Sequence, residues 1–133
     1  MADANYPDDL LYHAEHDWAR IEPDAPDEAT LGITWYAQDA LGEVVFFQPP
    51  AVGSRVQKDQ PYAEVESVKA VSDVIAPLSG EVLEVNQRVV AEPETVNGDP
   101  YGEGWLVRIR LADAAEVESL LDVDAYRQVV AEA

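Results

Sequence analysis

Apolar and polar residues alternate along much of this chain, with the two-residue period of half-buried strands. The clearest stretch is Ala63-Glu64-Val65-Glu66-Ser67-Val68-Lys69-Ala70-Val71-Ser72-Asp73-Val74. Alternation on both sides of Lys69 predicts two strands paired as a hairpin, with the lysine at or beside the tip and pointing into water. Leu11 to Ile21, carrying Tyr12, Trp18 and Ile21, reads as an early strand pair. Glu22 to Glu28, with Pro23, Pro26 and four acids, reads as a polar turn, after which Ala29 to Ile33 resumes a strand. Thr34 is placed to cap a short helix over Trp35 to Leu41, and Gly42 to end it in a left-handed conformation. Val44 to Phe47 is wholly apolar and predicts a buried strand. Pro49-Pro50 stops it, because proline cannot donate to a ladder.

From Val52 to Glu92 the pattern predicts β structure throughout, in short segments divided by Gly53, Lys58-Asp59, Pro77, Gly80 and Asn86. Val52 to Val56 followed by Tyr62 to Val65 is weakly echoed by Ser79 to Val82 followed by Val89 to Glu92. Two such halves around Lys69 suggest a flattened barrel with approximate two-fold symmetry. A loop from Pro93 to Gly104 leads to a last strand, Trp105 to Leu111. Beyond it Asp113 is a helix N-cap, with Glu116 completing a capping box. Val117, Leu120 and Leu121 form an apolar stripe. Asp122 or Asp124 starts a second helical segment in which Tyr126, Val129 and Val130 share a face, read as packing without chemistry. The expected architecture is one mainly β domain over residues 1–133, a flattened barrel or sandwich. It carries the lysine hairpin, one short internal helix and C-terminal helices over 113–131, behind a mobile tail at 1–9.

Composition narrows the function. A hydrophobic content of 47% suits one modest core. The 27 acidic and 8 basic side chains leave a formal net charge of −19, which repels phosphate backbones and anionic lipid and favours partners with basic rims. The same charge also serves solubility, or a salty cell interior. With no cysteine, disulfides, zinc–thiolate sites and the chain's own thiol catalysis are excluded, so a redox role needs an acquired group. Met1 to Asp9 lacks the features of a signal or transit peptide, and no apolar run approaches a membrane span. The expectation is a cytoplasmic prokaryotic protein. His13 and His16 stand three apart without a third ligand, so no metal site is expected. Neither a nucleophile triad, a glycine-rich phosphate loop nor a distinct carboxylate dyad appears, which argues against a self-sufficient enzyme.

Lys69 is one of only two lysines. An isolated exposed lysine is ordinarily a solvated charge, but one held at a rigid tip among small residues suits attachment of a group by another enzyme. Around it, Glu66-Ser67-Val68-Lys69-Ala70-Val71-Ser72-Asp73 resembles the lipoylation motif of the glycine cleavage system H-protein family. The resemblance extends to Tyr12-His13-Ala14-Glu15-His16-Asp17-Trp18, to Leu31 through Thr34 and Tyr36 through Val45, to Ala76 through Asn86, to Asn97 through Trp105 and to Leu121 through Tyr126. Biotin carriers, which typically flank their lysine with methionines, match less well. So do the lipoyl domains of 2-oxoacid dehydrogenases, which usually have Asp before the lysine and lack the terminal segments.

The resemblance implies a lipoyl-domain-like hybrid fold with lipoic acid in amide linkage to Lys69, and a carrier that catalyses no step alone. It would take the aminomethyl group of glycine from the pyridoxal-phosphate enzyme glycine decarboxylase to the tetrahydrofolate-dependent aminomethyltransferase, with dihydrolipoyl dehydrogenase restoring the disulfide. A lipoate ligase or octanoyltransferase would install the arm. The alternative is a donor that relays lipoyl or octanoyl groups to other proteins. Glu66, Ser67, Val68, Ala70 and Asp73 fall in the recognised hairpin, Glu66 as a contact for the lipoylating enzyme. A cleft would shelter the arm's cationic cargo, with Asp17, His16, Tyr36 and Trp35 as candidates. Asp17 stands at the glutamate of the family's His-Glu-Trp and is expected to hold the ammonium. Trp35 stands where the family usually has Asp.

Overall fold

The alternating pattern resolves into two antiparallel sheets in the computed structural model, which describes residues 5–133. In chain order the strands are β1 (Leu11–His13), β2 (Asp17–Glu22), β3 (Ala25–Ile33), β4 (Val44–Gln48), β5 (Arg55–Val56), β6 (Pro61–Ser67), β7 (Val71–Ile75), β8 (Gly80–Val85) and β9 (Val107–Leu111). The larger sheet runs β1-β2-β3-β9-β8-β5, and the smaller runs β4-β6-β7. Inward residues of both, among them Leu31, Val82 and Ile109 from the first and Phe47, Val65 and Val74 from the second, form one core. Each such side chain contributes about 1.5–3 kcal/mol on burial, which is what holds the two sheets face to face. The expected mainly β sandwich is therefore what forms, as two sheets that do not join into one closed barrel.

Helices close the edges: α1 (Trp35–Leu41), α2 (Gln87–Ala91), α3 (Thr95–Gly98), a 3₁₀ turn at Ala114–Ser119, and α4 (Val123–Ala131). A second apolar cluster lies where α4 meets β1 and β2. It joins Tyr6, Leu10, Tyr12, Trp18, Val123 and Tyr126. Tyr12 and Trp18 are cross-strand partners, and the Tyr12 ring stacks on Tyr126 at 4.6 Å. Trp18 lies across Gly32 on the neighbouring strand, where a Cβ would stand 2.5 Å from the indole. Only glycine admits that close approach.

Several expectations change. Of the tail expected at 1–9, residues 1–4 lie outside the described residues, while Tyr6 is buried at 5% exposure, edge-on to Tyr126. The polar stretch 22–28 is a hairpin that pairs Glu22 with Ala25, turning at Pro23-Asp24. Val44–Gln48 is a strand but not buried throughout: the ladder slips between Val44 and Phe46, and Val45 and Phe46 are 46% and 50% exposed. Val89 to Ala91 is helical, because the Asn86 side chain accepts from the Arg88 N–H and starts α2. The second half of the internal echo therefore fails. Asp113 caps as expected by accepting from Ala115 N, but Glu116 does not close a capping box. Its carboxylate accepts instead from the backbone N and hydroxyl of Ser79, binding the 3₁₀ turn to the start of β8.

Candidate functional site

The hairpin β6–β7 presents Val68, Lys69 and Ala70 as an exposed tip. Ser67 makes the tip rigid. Its backbone N–H donates to Ala70 O at 2.8 Å, and its buried hydroxyl oxygen accepts from the N–H groups of Lys69 at 3.3 Å and Ala70 at 3.2 Å. The Lys69 stem lies along the C-terminal end of α1, its Cε 3.7 Å from where a Cβ on Gly42 would be. Gly42 has φ 79°, the positive-φ conformation expected of it. Asn97, which sequence reasoning did not single out, fixes this corner. Its amide donates to Gln38 Oε1 and Gly42 O, and its Oδ1 accepts from Val44 N, all at 2.9–3.0 Å.

Beside the tip lies a cleft of about 320 Å³. Glu15 and His16 of the β1–β2 turn form one wall, Tyr36, Ala37, Ala40 and Leu41 of α1 another, and Ala70, Val71 and Ser72 of the hairpin a third. Most of this surface is apolar and shaped by small residues. His16 has φ 74°, and its ring packs on Tyr36 at 4.3 Å. Burial lowers the affinity of His16 for a proton, against the opposing pull of Glu15. Its Nδ1 lies 2.8 Å from the Tyr126 hydroxyl, which is also 2.7 Å from the Thr34 hydroxyl.

Of the four residues named for an arm-sheltering cleft, His16 and Tyr36 line this one, and Asp17 and Trp35 do not. Successive strand residues face opposite ways, so His16 at the turn meets the cleft while Asp17 points between the sheets at 2% exposure. Among the described residues neither Asp17 Oδ2 nor the Tyr62 hydroxyl has a hydrogen-bond partner. Burial, and secondarily Glu15, pushes the Asp17 carboxyl well above its ordinary range, although a hydrogen bond from the Ile75 backbone opposes the shift. The Tyr62 hydroxyl is likewise raised, by burial and then by Asp17. Among the described residues, the acidic side chain that lines the cleft is Glu15. Trp35 packs edge-on to Tyr6 at 6.5 Å, and its backbone N–H donates to the Tyr101 hydroxyl. His13 bonds to Asp59, and no cluster of three metal-binding side chains occurs among the described residues.

On the outer face of β4-β6-β7, Phe46, Glu66 and Val71 are cross-strand neighbours, as are Gln48, Glu64 and Asp73. Glu64, Glu66 and Asp73 have no ion-pair partner among the described residues. Glu64 and Asp73 stand directly opposite each other, a like-charge pairing that works against the sheet.

Comparison with known proteins gives a consistent result. Residues 10–133 match the family described as Glycine cleavage H-protein. A glycine cleavage system H protein of Halorhodospira halophila is 50% identical over 126 residues, 95% of each chain. One of Rubrobacter xylanophilus is 55% identical over 116 residues, covering 87% of this chain and 90% of that protein. The crystal structure of a glycine cleavage system H protein from Mycobacterium marinum is 43% identical and superposes with a TM-score of 0.85, covering 94% of this chain and 98% of that one. The chain belongs to the glycine cleavage H-protein family.

Proposed function

We propose that Lys69 bears lipoic acid in amide linkage, and that through it this chain is the lipoyl carrier between glycine decarboxylase and aminomethyltransferase. The observation that carries the reading is a rigid exposed lysine whose stem already lies along α1, beside a cleft walled by small apolar residues. An aliphatic chain attached at Nζ fits those walls, with Tyr36, Ala37, Ala40, Leu41 and Val71 holding its apolar length. The group supplies what the cysteine-free chain lacks, a disulfide that accepts two electrons and a sulfur that takes the aminomethyl unit. The protein's own contribution is presentation and shelter. The tip keeps Lys69 available, α1 and the hairpin exclude water, and Glu15 offers a negative charge to a cationic amine. Excluding water strengthens that pairing relative to bulk solution.

Family membership and the acidic outer face of the hairpin sheet support the proposed partners. The lipoate ligase or octanoyltransferase has to approach a bare lysine closely, and Glu64, Glu66 and Asp73 suit a basic rim on that enzyme. Dihydrolipoyl dehydrogenase, which reoxidises the arm, completes the set of partners. The test is a glycine–bicarbonate exchange assay with glycine decarboxylase, paired with intact-mass measurement after incubation with lipoate and ligase. Wild-type protein should gain one lipoyl mass and support exchange, and Lys69→Arg should do neither. Exchange surviving in Lys69→Arg would defeat the proposal.

A further inference from the structure

We propose that Tyr126 is a positioning residue: its hydroxyl holds the His16 imidazole in the cleft wall and makes the cleft receptive to a cationic group on the arm. This rests on the carrier reading above. Packing alone accounts for the Tyr126 ring, which stacks on Tyr12 and meets Tyr6 edge-on. A phenylalanine would serve that purpose. The hydroxyl, although fully buried, reaches out of this cluster to His16 Nδ1 at 2.8 Å and Thr34 Oγ1 at 2.7 Å.

The distances allow either hydroxyl to donate, and one arrangement gives every hydrogen in the chain an acceptor. Ala37 N–H can only donate, and it donates to Thr34 Oγ1 as the N-cap bond of α1. The Thr34 hydroxyl is then free to donate to Tyr126, and the Tyr126 hydroxyl to His16 Nδ1. Each oxygen accepts one bond and passes one on. In that arrangement the chain ends on an unprotonated Nδ1, so that His16 carries its proton on Nε2 and is uncharged. Protonating Nδ1 makes it a donor to Tyr126, and one hydroxyl hydrogen of the Thr34–Tyr126 pair then has no acceptor within this chain of bonds, which is costly in a buried setting.

Other features converge on the same ring. The His16 backbone is held at φ 74°, a conformation that costs a non-glycine residue about 1 kcal/mol or more. Its carbonyl accepts from Thr34 N at 3.1 Å, so the turn is pinned to α1 at two places. The groups facing the imidazole are Glu15 on its own turn, Tyr36 from α1 and Tyr126 from α4. An imidazolium here would repel an ammonium cargo. The uncharged ring leaves Glu15 as the charge that such a cargo meets on the cleft wall.

The test uses the folded, lipoylated protein. Nitrogen-15 NMR of the histidine rings should show His16 as the Nε2–H tautomer, titrating below the ordinary histidine range. Tyr126→Phe, which keeps the ring packing, should abolish the tautomer preference and move the midpoint upward by at least half a pH unit. Loss of the carried amine to water should quicken several-fold near neutral pH. Thr34→Ser, which retains the hydroxyl, should preserve the tautomer. A His16 that titrates identically in wild type and Tyr126→Phe overturns the proposal. Ala40→Trp separates the two layers of argument. It fills the cleft without touching the Tyr126 bonds, so if it leaves the amine's lifetime unchanged the sheltering role of the cleft fails, while the NMR result still decides whether Tyr126 positions His16.

Discussion

Removing the Ser67 hydroxyl isolates how much the carrier depends on a rigid tip. In Ser67→Ala the N–H groups of Lys69 and Ala70 lose an acceptor at 3.3 and 3.2 Å, and the longer 3.4 Å contact to Ala70 O disappears. The bonds are long and the tip is exposed, so water replaces the lost acceptor. Each of the two N–H bonds therefore counts at the low end of the usual range, about 0.5 kcal/mol, and the 3.4 Å contact adds nothing further. The backbone bond from Ser67 N to Ala70 O and the β6–β7 ladder stay in place. The sum is about 1 kcal/mol, roughly a fivefold change in the balance between ordered and open tip. Lipoylation kcat/KM should fall about three- to fivefold, read from intact-mass time courses at limiting carrier, with a fall in Tm of about 3–5 °C. Amide exchange at Lys69 and Ala70 should quicken by a similar factor. Faster exchange with an unchanged lipoylation rate would refute the link between tip rigidity and modification.

Three further perturbations test other parts of the structure. Glu66→Ala removes the outward carboxylate between Phe46 and Val71, and should slow lipoylation about tenfold at unchanged Tm; equal rates would remove Glu66 from recognition. For Asp17, whose carboxyl is raised in the fold, the sign is definite. Below the unfolded value, about 3.9, both states bind the proton and no cost arises. As pH climbs through the folded value the native state loses about 1.4 kcal/mol for each unit of difference. Asp17→Asn should therefore raise Tm at pH 7–8 and lose that advantage near pH 4, and a pH-independent difference would contradict the assignment. Gly32→Ala puts a Cβ 2.5 Å from the Trp18 ring. It should cost about 1–3 kcal/mol and alter tryptophan fluorescence, whereas an unperturbed spectrum and Tm would show that the sheet yields there.

Legibility in the sequence followed the range of the forces involved. The lysine hairpin, the Thr34 cap, the positive φ at Gly42 and the Asp113 cap are set by side chains within a few residues of one another, so pattern and turn chemistry suffice to place them. Short-range rules misread Val45 and Phe46, because exposure there depends on a slip against β6, about twenty residues later. They misread Val89 to Ala91 as well, where an N-cap outweighed the β-branched composition. Glu116 was read through its own segment, yet its partner Ser79 comes 37 residues earlier.

By itself the sequence determined an exposed lysine at a hairpin tip, the strands that present it and the family to which the chain belongs. Those are local chemistry and residue order. Only the tertiary structure decided which carboxylate faces the cleft, since Glu15 and Asp17 are two residues apart and the packing of β2 between two sheets buries one and exposes the other. It also turned Tyr126, an ordinary packing residue in the sequence, into a partner of His16 across 110 positions. A hydrogen bond is decided by where folding brings its donor and acceptor. Strand alternation records which residues face inward, and leaves open what they meet.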